Sequence, residues 1–142
     1  GVLGRTKSFA ELVELVIPRR AGFKDRIHPA TRTFQGVRIA INKELESIEA
    51  GLEEGFRRLK VNGVMVAISF HSLEDRIVKR FFRKLSGRPE HRKDGRLQEE
   101  RQVLGSMIET KAVKASEEEI LENARSRSAR MRGIKKLVEE VA

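Results

Sequence analysis

VMVAISFHSLEDRIVKRFFRKL, residues 64–85, joins two periodicities at a histidine. Val64 to Phe70 is an apolar run rich in β-branched residues, the pattern of a strand buried on both faces. From Leu73 to Leu85 the spacing turns helical, with Leu73, Ile77, Val78, Phe81, Phe82 and Leu85 expected inward. Glu74 and Asp75 fall in the first turn, and Arg80, Arg83 and Lys84 near the end, an order that complements the helix dipole. A strand passing directly into a helix is half of an α/β unit. Ligands of open parallel sheets gather at the carboxyl ends of the strands. His71 and Ser72 stand at such an end, and the chain holds only three histidines.

Both residues have a plain structural reading beside the functional one. Ser72 is placed to cap the helix, with Asp75 completing an [ST]xx[DE] box. His71 can be a packed loop histidine. A metal reading pairs His71 with Glu74 or His28, but no third ligand stands at a standard spacing. G-x-S-x-G is absent, so a serine nucleophile is not indicated. No Walker loop and no G-x-G-x-x-G occurs, so the chain shows no cofactor cradle.

Upstream, Ser8 and Glu11 form a capping box for a short helix with Phe9, Leu12, Val13, Val16 and Ile17 on one face, ended by Pro18. GVLGRTK before it reads as a linker, and PRRAGFKDR after it as a basic loop. Val37, Ile41, Leu45, Ile48, Leu52, Phe56 and Leu59 then form one stripe, predicting a single helix from about Thr31 to Lys60, roughly 45 Å long. VNG is a turn. Residues 86–104 mix charges of both signs without an apolar period and are expected as a mobile loop. SMIETKAV is a second strand candidate, and Ser116 with Glu119 opens a short helix ending near Asn123. ARSRSARMRGIKK carries six basic residues between Arg125 and Lys136 and no acid. Its type stays open: Ala129, Met131 and Gly133 alternate like an edge strand, while Ile134, Leu137, Val138 and Val141 keep helical spacing.

The chain of 142 residues is long enough for one domain with a real core. Without Trp or Tyr, and with seven Phe, aliphatic side chains must fill it. The formal net charge of +9 favours polyanions, nucleic acid before anionic membrane. A charge-rich surface is also a mark of heat adaptation. With no cysteine, disulfides and thiolate metal sites are excluded. No apolar run approaches a membrane span and no signal peptide is visible, so a soluble, cytoplasmic protein without a membrane partner is expected.

Three stretches, in order, carry a resemblance: HPATRTFQGVRIAINKEL (28–45), ISFHSLEDRIVKRFF (68–82) and ENARSRSARMR (122–132). Together they resemble the bacterial 16S rRNA cytosine-amine methyltransferases, the RsmH or MraW family. The likeness covers essentially the whole chain but only the carboxyl half of the family. It implies an α/β fold: the carboxyl half of a Rossmann-like methyltransferase sheet preceded by the end of a helical insertion domain. Residues 1–60 then hold the end of that insertion and its return helix, and residues 61–142 the last part of the catalytic domain. MVAISF becomes a central parallel strand, and SMIETKAV and SARMRGI the final strands, often an antiparallel pair. Gly36 stands where the family usually has Ala, VNG replaces a Pro-Gly-Gly turn, and Ala124 replaces a Pro.

The resemblance implies methyl transfer from S-adenosylmethionine to the exocyclic amine of a cytidine in the ribosomal decoding centre. The small ribosomal subunit and its 16S rRNA are the implied partners. The main cofactor motifs belong to the amino half, so this chain supplies no cofactor-binding residue and is expected to be inactive alone. The catalytic residue stays unassigned. For RNA and substrate, Arg32 and Arg38 are suited to phosphate, Gln35 and Asn42 to a cytosine edge, and Phe34 to stacking or to the core. His28 and Thr33 share their segment, His71 and Ser72 border the transfer site, and Arg125 and Arg127 belong to the basic tail. A non-catalytic RNA-binding module is the rival reading, and a basic ribosome-associated structural protein the third. An incomplete sheet would leave the chain self-associating, as a homo-oligomer, or awaiting a missing amino-terminal half.

Overall fold

The computed structural model describes residues 5–17 and 28–138. The expected basic loop at 18–26 and the end of the tail with Val141 lie outside them. The chain divides into two compact units, 1–44 and 45–142.

The first unit is a helical pair, α1 (Thr6–Val16) and α2 (Pro29–Asn42). Among its described residues Val13 and Ala30 are buried. Phe34 meets Phe9 edge to face, with centroids 5.2 Å apart, so its ring serves packing between the helices. Ser8 does not cap α1: the helix starts three residues earlier than that cap implies, with Arg5 at the cap position and no side-chain bond there. His28 caps α2, its Nδ1 accepting from the Ala30 N–H at 3.2 Å, and Pro29 takes the first helical position, where a missing N–H costs nothing.

The long helix predicted from Thr31 to Lys60 is two helices. Lys43 adopts left-handed backbone (φ 51°, ψ 37°) and its N–H closes α2 on the Ile39 carbonyl. α3 (Glu44–Arg58) begins at once. The apolar stripe runs through the break without interruption, which is why periodicity alone does not reveal it. α3, grouped by the sequence with the helical segment to residue 60, belongs to the second unit, where Leu52 and Phe56 join Val78, Phe82, Leu85 and Ile134 in the core.

The second unit is a sheet with α3 and the helix after its first strand packed on one face. Its strands are β1 (Val64–Ser69), β2 (Gly105–Met107), β3 (Val113–Lys114) and β4 (Arg130–Lys136). α4 (Ser72–Leu85) follows β1, and α5 (Glu117–Glu122) follows β3. β4 is central and every pairing is antiparallel: β1 along its whole length, Val64 facing Lys135 through Ser69 facing Arg130, with β2 and β3 on the other side. The ambiguous tail is therefore a short 3-10 turn over Ala124–Ser128 and then the middle strand, not an edge and not a helix. Among the described residues MVAISF is an edge strand, not a central parallel one. It is also not buried on both faces. Met65 and Ala67 pack against the core, while Val64, Val66 and Ile68 are 48%, 54% and 58% exposed. The observed architecture mixes helices with an antiparallel sheet, consistent with an α/β class.

Two basic residues of the tail are structural. Lys136 is buried, and its Nζ donates to the Phe56 and Arg57 carbonyls at 3.3 and 3.2 Å, over the Phe56 ring. It thus serves the negative end of α3, where orphan carbonyls need donors. Arg132 is buried with Asp75, described below. The 86–104 segment, expected as a mobile loop, is tied by its own charges: Arg96 and Arg101 both reach Asp94, Arg83 donates to the Pro89 carbonyl, and Ser86 bridges Val103. The Asp94 carboxyl is held far below the usual range, first by the Arg96 and Arg101 hydrogen bonds.

Candidate functional site

α4 starts one residue earlier than a serine cap allows. His71, not Ser72, is the N-cap, and Glu74, not Asp75, completes the box. His71 Nδ1 accepts from the Glu74 N–H at 3.3 Å, while Glu74 Oε2 accepts from the N–H groups of His71 (3.2 Å) and Phe70 (2.8 Å). His71 Nε2 is buried and lies 3.0 Å from Glu74 Oε1, close enough for attraction but without hydrogen-bond geometry. Histidine is not a usual cap residue, which is why the serine is the natural choice from sequence.

Asp75 is freed by that shift for another task. Its carboxylate takes Arg132 Nε at 2.8 Å and Nη2 at 3.3 Å, and Arg130 Nη1 at 3.1 Å. Burial acts to raise the Asp75 carboxyl, but the Arg132 and Arg130 hydrogen bonds and charges together outweigh it and hold the group below its ordinary value. The pair stitches the first turn of α4 to β4 and places Arg130 at the end of β1.

There a concave pocket of about 270 Å³ opens, lined by Phe70, His71, Ser72, Lys114, Arg127, Ser128, Ala129 and Arg130. Three elements build it: the β1–α4 junction, β3, and the 3-10 turn leading into β4. It holds three cations and no acid. The structure thus brings together His71, Ser72 and Arg127 of the expected site residues. Arg125 is exposed on the same turn but does not line the pocket. Lys114 was missed by sequence reasoning, because it comes from a two-residue strand that only pairing with β4 brings to this place.

The other candidates lie on α2, in the first unit. His28 Nε2 lies 3.0 Å from Glu14 Oε1, Arg38 Nε is 2.9 Å from Glu44 Oε1, and Asn42 Nδ2 donates to the same oxygen at 3.1 Å. These three have local partners; Arg32 is exposed, and Thr33 and Gln35 are half-buried.

A profile described as the MraW methylase family matches residues 2–137. The chain belongs to the MraW methylase family. Similar proteins include the ribosomal RNA small subunit methyltransferase H of Stenotrophomonas maltophilia (strain R551-3), 46% identical over 129 residues, covering 90% of this chain and 38% of the relative. That of Nitrosococcus oceani is 47% identical over 131 residues, covering 92% and 41%, and that of Acinetobacter baylyi 45% over 138, covering 97% and 44%. This MraW-family chain thus spans about two fifths of the length of the curated relatives it matches. No helix among the described residues is long and apolar enough to cross a membrane.

The family implies S-adenosylmethionine as methyl donor, and the pocket's chemistry can be tested against it. A sulfonium and an α-ammonium are both positive, and the pocket offers three cations and no carboxylate. The Glu74 carboxylate beside it is already engaged by two backbone N–H groups. The residues of this site do not fit that cofactor, and no step is routed through it.

Proposed function

We propose that this chain is part of an S-adenosylmethionine-dependent methyltransferase that modifies the exocyclic amine of a cytidine in the decoding centre of 16S rRNA. The observation that carries the reading is an acid-free cationic pocket at the end of β1, in a chain that matches the methylase family over most of its length. The chemistry needs such a part. The amine's lone pair is delocalised into the ring, so the nitrogen must be aimed at the methyl group and its proton accepted, and positioning supplies much of the rate. The base must leave its stack while the RNA backbone is held by cations. In this reading the pocket holds backbone, His71 and Ser72 border the transfer site, and Arg32, Thr33, Gln35, Arg38 and Asn42 present α2 and its cap His28 to the RNA. The donor is cradled by residues of the amino half, and the protein works on the small ribosomal subunit in the cytoplasm.

A non-catalytic RNA-binding module is the rival reading. Calorimetry with S-adenosylmethionine and anisotropy with 16S rRNA fragments separate the cases. RNA binding without donor binding is the expected outcome for the isolated chain. Tight donor binding would overturn the assignment of the cradle to the amino half, and failure to bind RNA would overturn the RNA-directed reading itself.

A further inference from the structure

We infer that the pocket at the β1–α4 junction is a single-nucleotide subsite: Lys114, Arg127 and Arg130 take one phosphodiester of single-stranded RNA, and Phe70 stacks on the adjoining base. This deepens the RNA-directed reading and rests on it.

Charge is the first argument. Several arginines of the second unit are spent within the protein: Arg57 and Arg58 on Glu54, Arg96 and Arg101 on Asp94, Arg132 on Asp75. The side chains of Lys114 and Arg127 have no hydrogen bond or ion pair among the described residues, yet they share one concavity with Arg130. Gathering like charges in a hollow without an acid is unfavourable unless an anion completes it. Arg130 is half spent: Nη1 is on Asp75, which holds the guanidinium at the rim with its remaining donors available, and a fixed fork suits a phosphate.

Size and surroundings narrow the ligand. About 270 Å³ lies just below the range of sites that enclose drug-sized ligands, so the pocket suits a small group of a larger molecule. Ser72 and Ser128 add hydroxyls that can donate to phosphate oxygens. The N-terminus of α4 adds little, because Glu74 already occupies the Phe70 and His71 N–H groups. Phe70 turns an anion site into a nucleotide site. It is 55% exposed and lines the same pocket, and an aromatic ring beside cations is how single strands are held without sequence preference.

The test uses the full chain and a fluorescent octacytidine RNA, with anisotropy titrations between about 50 and 300 mM salt. Lys114→Gln with Arg127→Gln should weaken binding and lower the slope of log affinity against log salt by about 0.7 for each phosphate no longer neutralised. Phe70→Leu should weaken binding about five-fold or more and leave the slope alone. Arg57→Gln with Arg58→Gln removes the same charge on α3 and is the control. All three sets alter exposed side chains, and unchanged melting confirms folding. If the wild-type chain binds RNA but control and pocket pairs change the slope equally, the subsite is overturned while the RNA-directed reading stands. If the wild-type chain does not bind RNA, that reading falls first. If inorganic phosphate binds as tightly as the octamer and Phe70→Leu changes nothing, the pocket is a free-anion site and the nucleotide assignment is wrong.

Discussion

Asp75 shows how much can hang on one carboxylate. It is 5% exposed and faces Arg132, itself 7% exposed, so each charge depends on the other. Removing one member of a buried pair leaves the other desolvated and uncompensated. Asp75→Asn should therefore cost about 3–5 kcal/mol at neutral pH, read as a lower urea midpoint. The pH dependence has a definite sign. Because the folded state holds this carboxyl below its ordinary value, the native state binds fewer protons than the unfolded one near pH 4. Its contribution is fully present above about pH 4 and is lost as the pH falls towards the lower folded value. The gap in urea midpoint between wild type and Asp75→Asn should be smaller at pH 3 than at pH 7. A gap of equal size at both pH values would assign the loss to shape and not to charge.

At the scale of elements, the close approach of β2 to β4 depends on Gly105. A Cβ there would stand 2.8 Å from Ile134 Cδ1, 2.9 Å from its Cγ1 and 3.0 Å from the Lys135 carbonyl oxygen. Ile134 is fully buried and the carbonyl belongs to the sheet, so neither can give way freely. Gly105→Ala should cost about 1–3 kcal/mol. Gly51 is the opposite case. It sits in α3 with nothing within 4 Å of an added Cβ, so Gly51→Ala should gain about 0.5–1 kcal/mol by restricting the unfolded chain and favouring the helix. Thermal melts of the two variants, moving in opposite directions, check both. Two glycines in regular elements, equally weak by propensity, thus carry opposite signs because of their neighbours.

For the whole molecule, the bare sheet face is the dominant fact. Val64, Val66 and Ile68 on β1 are exposed, and Met131 on β4 and Val113 on β3 are 39% and 43% exposed; register sets Ile68 opposite Met131 and Met131 opposite Val113. An apolar stripe beside a strand that, among the described residues, leaves one row of N–H and C=O groups unpaired invites another chain. The isolated chain should self-associate in sedimentation at low micromolar concentration. Ile68→Lys should shift it towards monomer with little change in melting, since the side chain is already 58% exposed. A well-folded monomer at the outset, melting cooperatively, would show that the face stays wet without consequence.

What the sequence determined by itself is local. The β1–α4 junction, the helical stretch with its apolar positions, and the Ser116 cap of α5 are legible because each depends on residues within one or two turns. Leu73, expected inward, is exposed, since periodicity sees a face but not what covers it. The three quoted stretches also carried the family, which the profile match shows. Only the tertiary structure decided what long-range pairing controls. β4 became the central strand because β1, β2 and β3, drawn from distant parts of the chain, all pair with it. That pairing removed Arg132 and Lys136 from the basic surface, brought Lys114 to the pocket, and gave Asp75 a partner 57 residues on. The left-handed turn at Lys43 broke a helix that its apolar stripe could not mark, since one residue's backbone leaves the side-chain period intact. A linear pattern reports which face a residue prefers; which other segment meets that face is settled by pairing energies between distant residues, and those exist only in the folded chain.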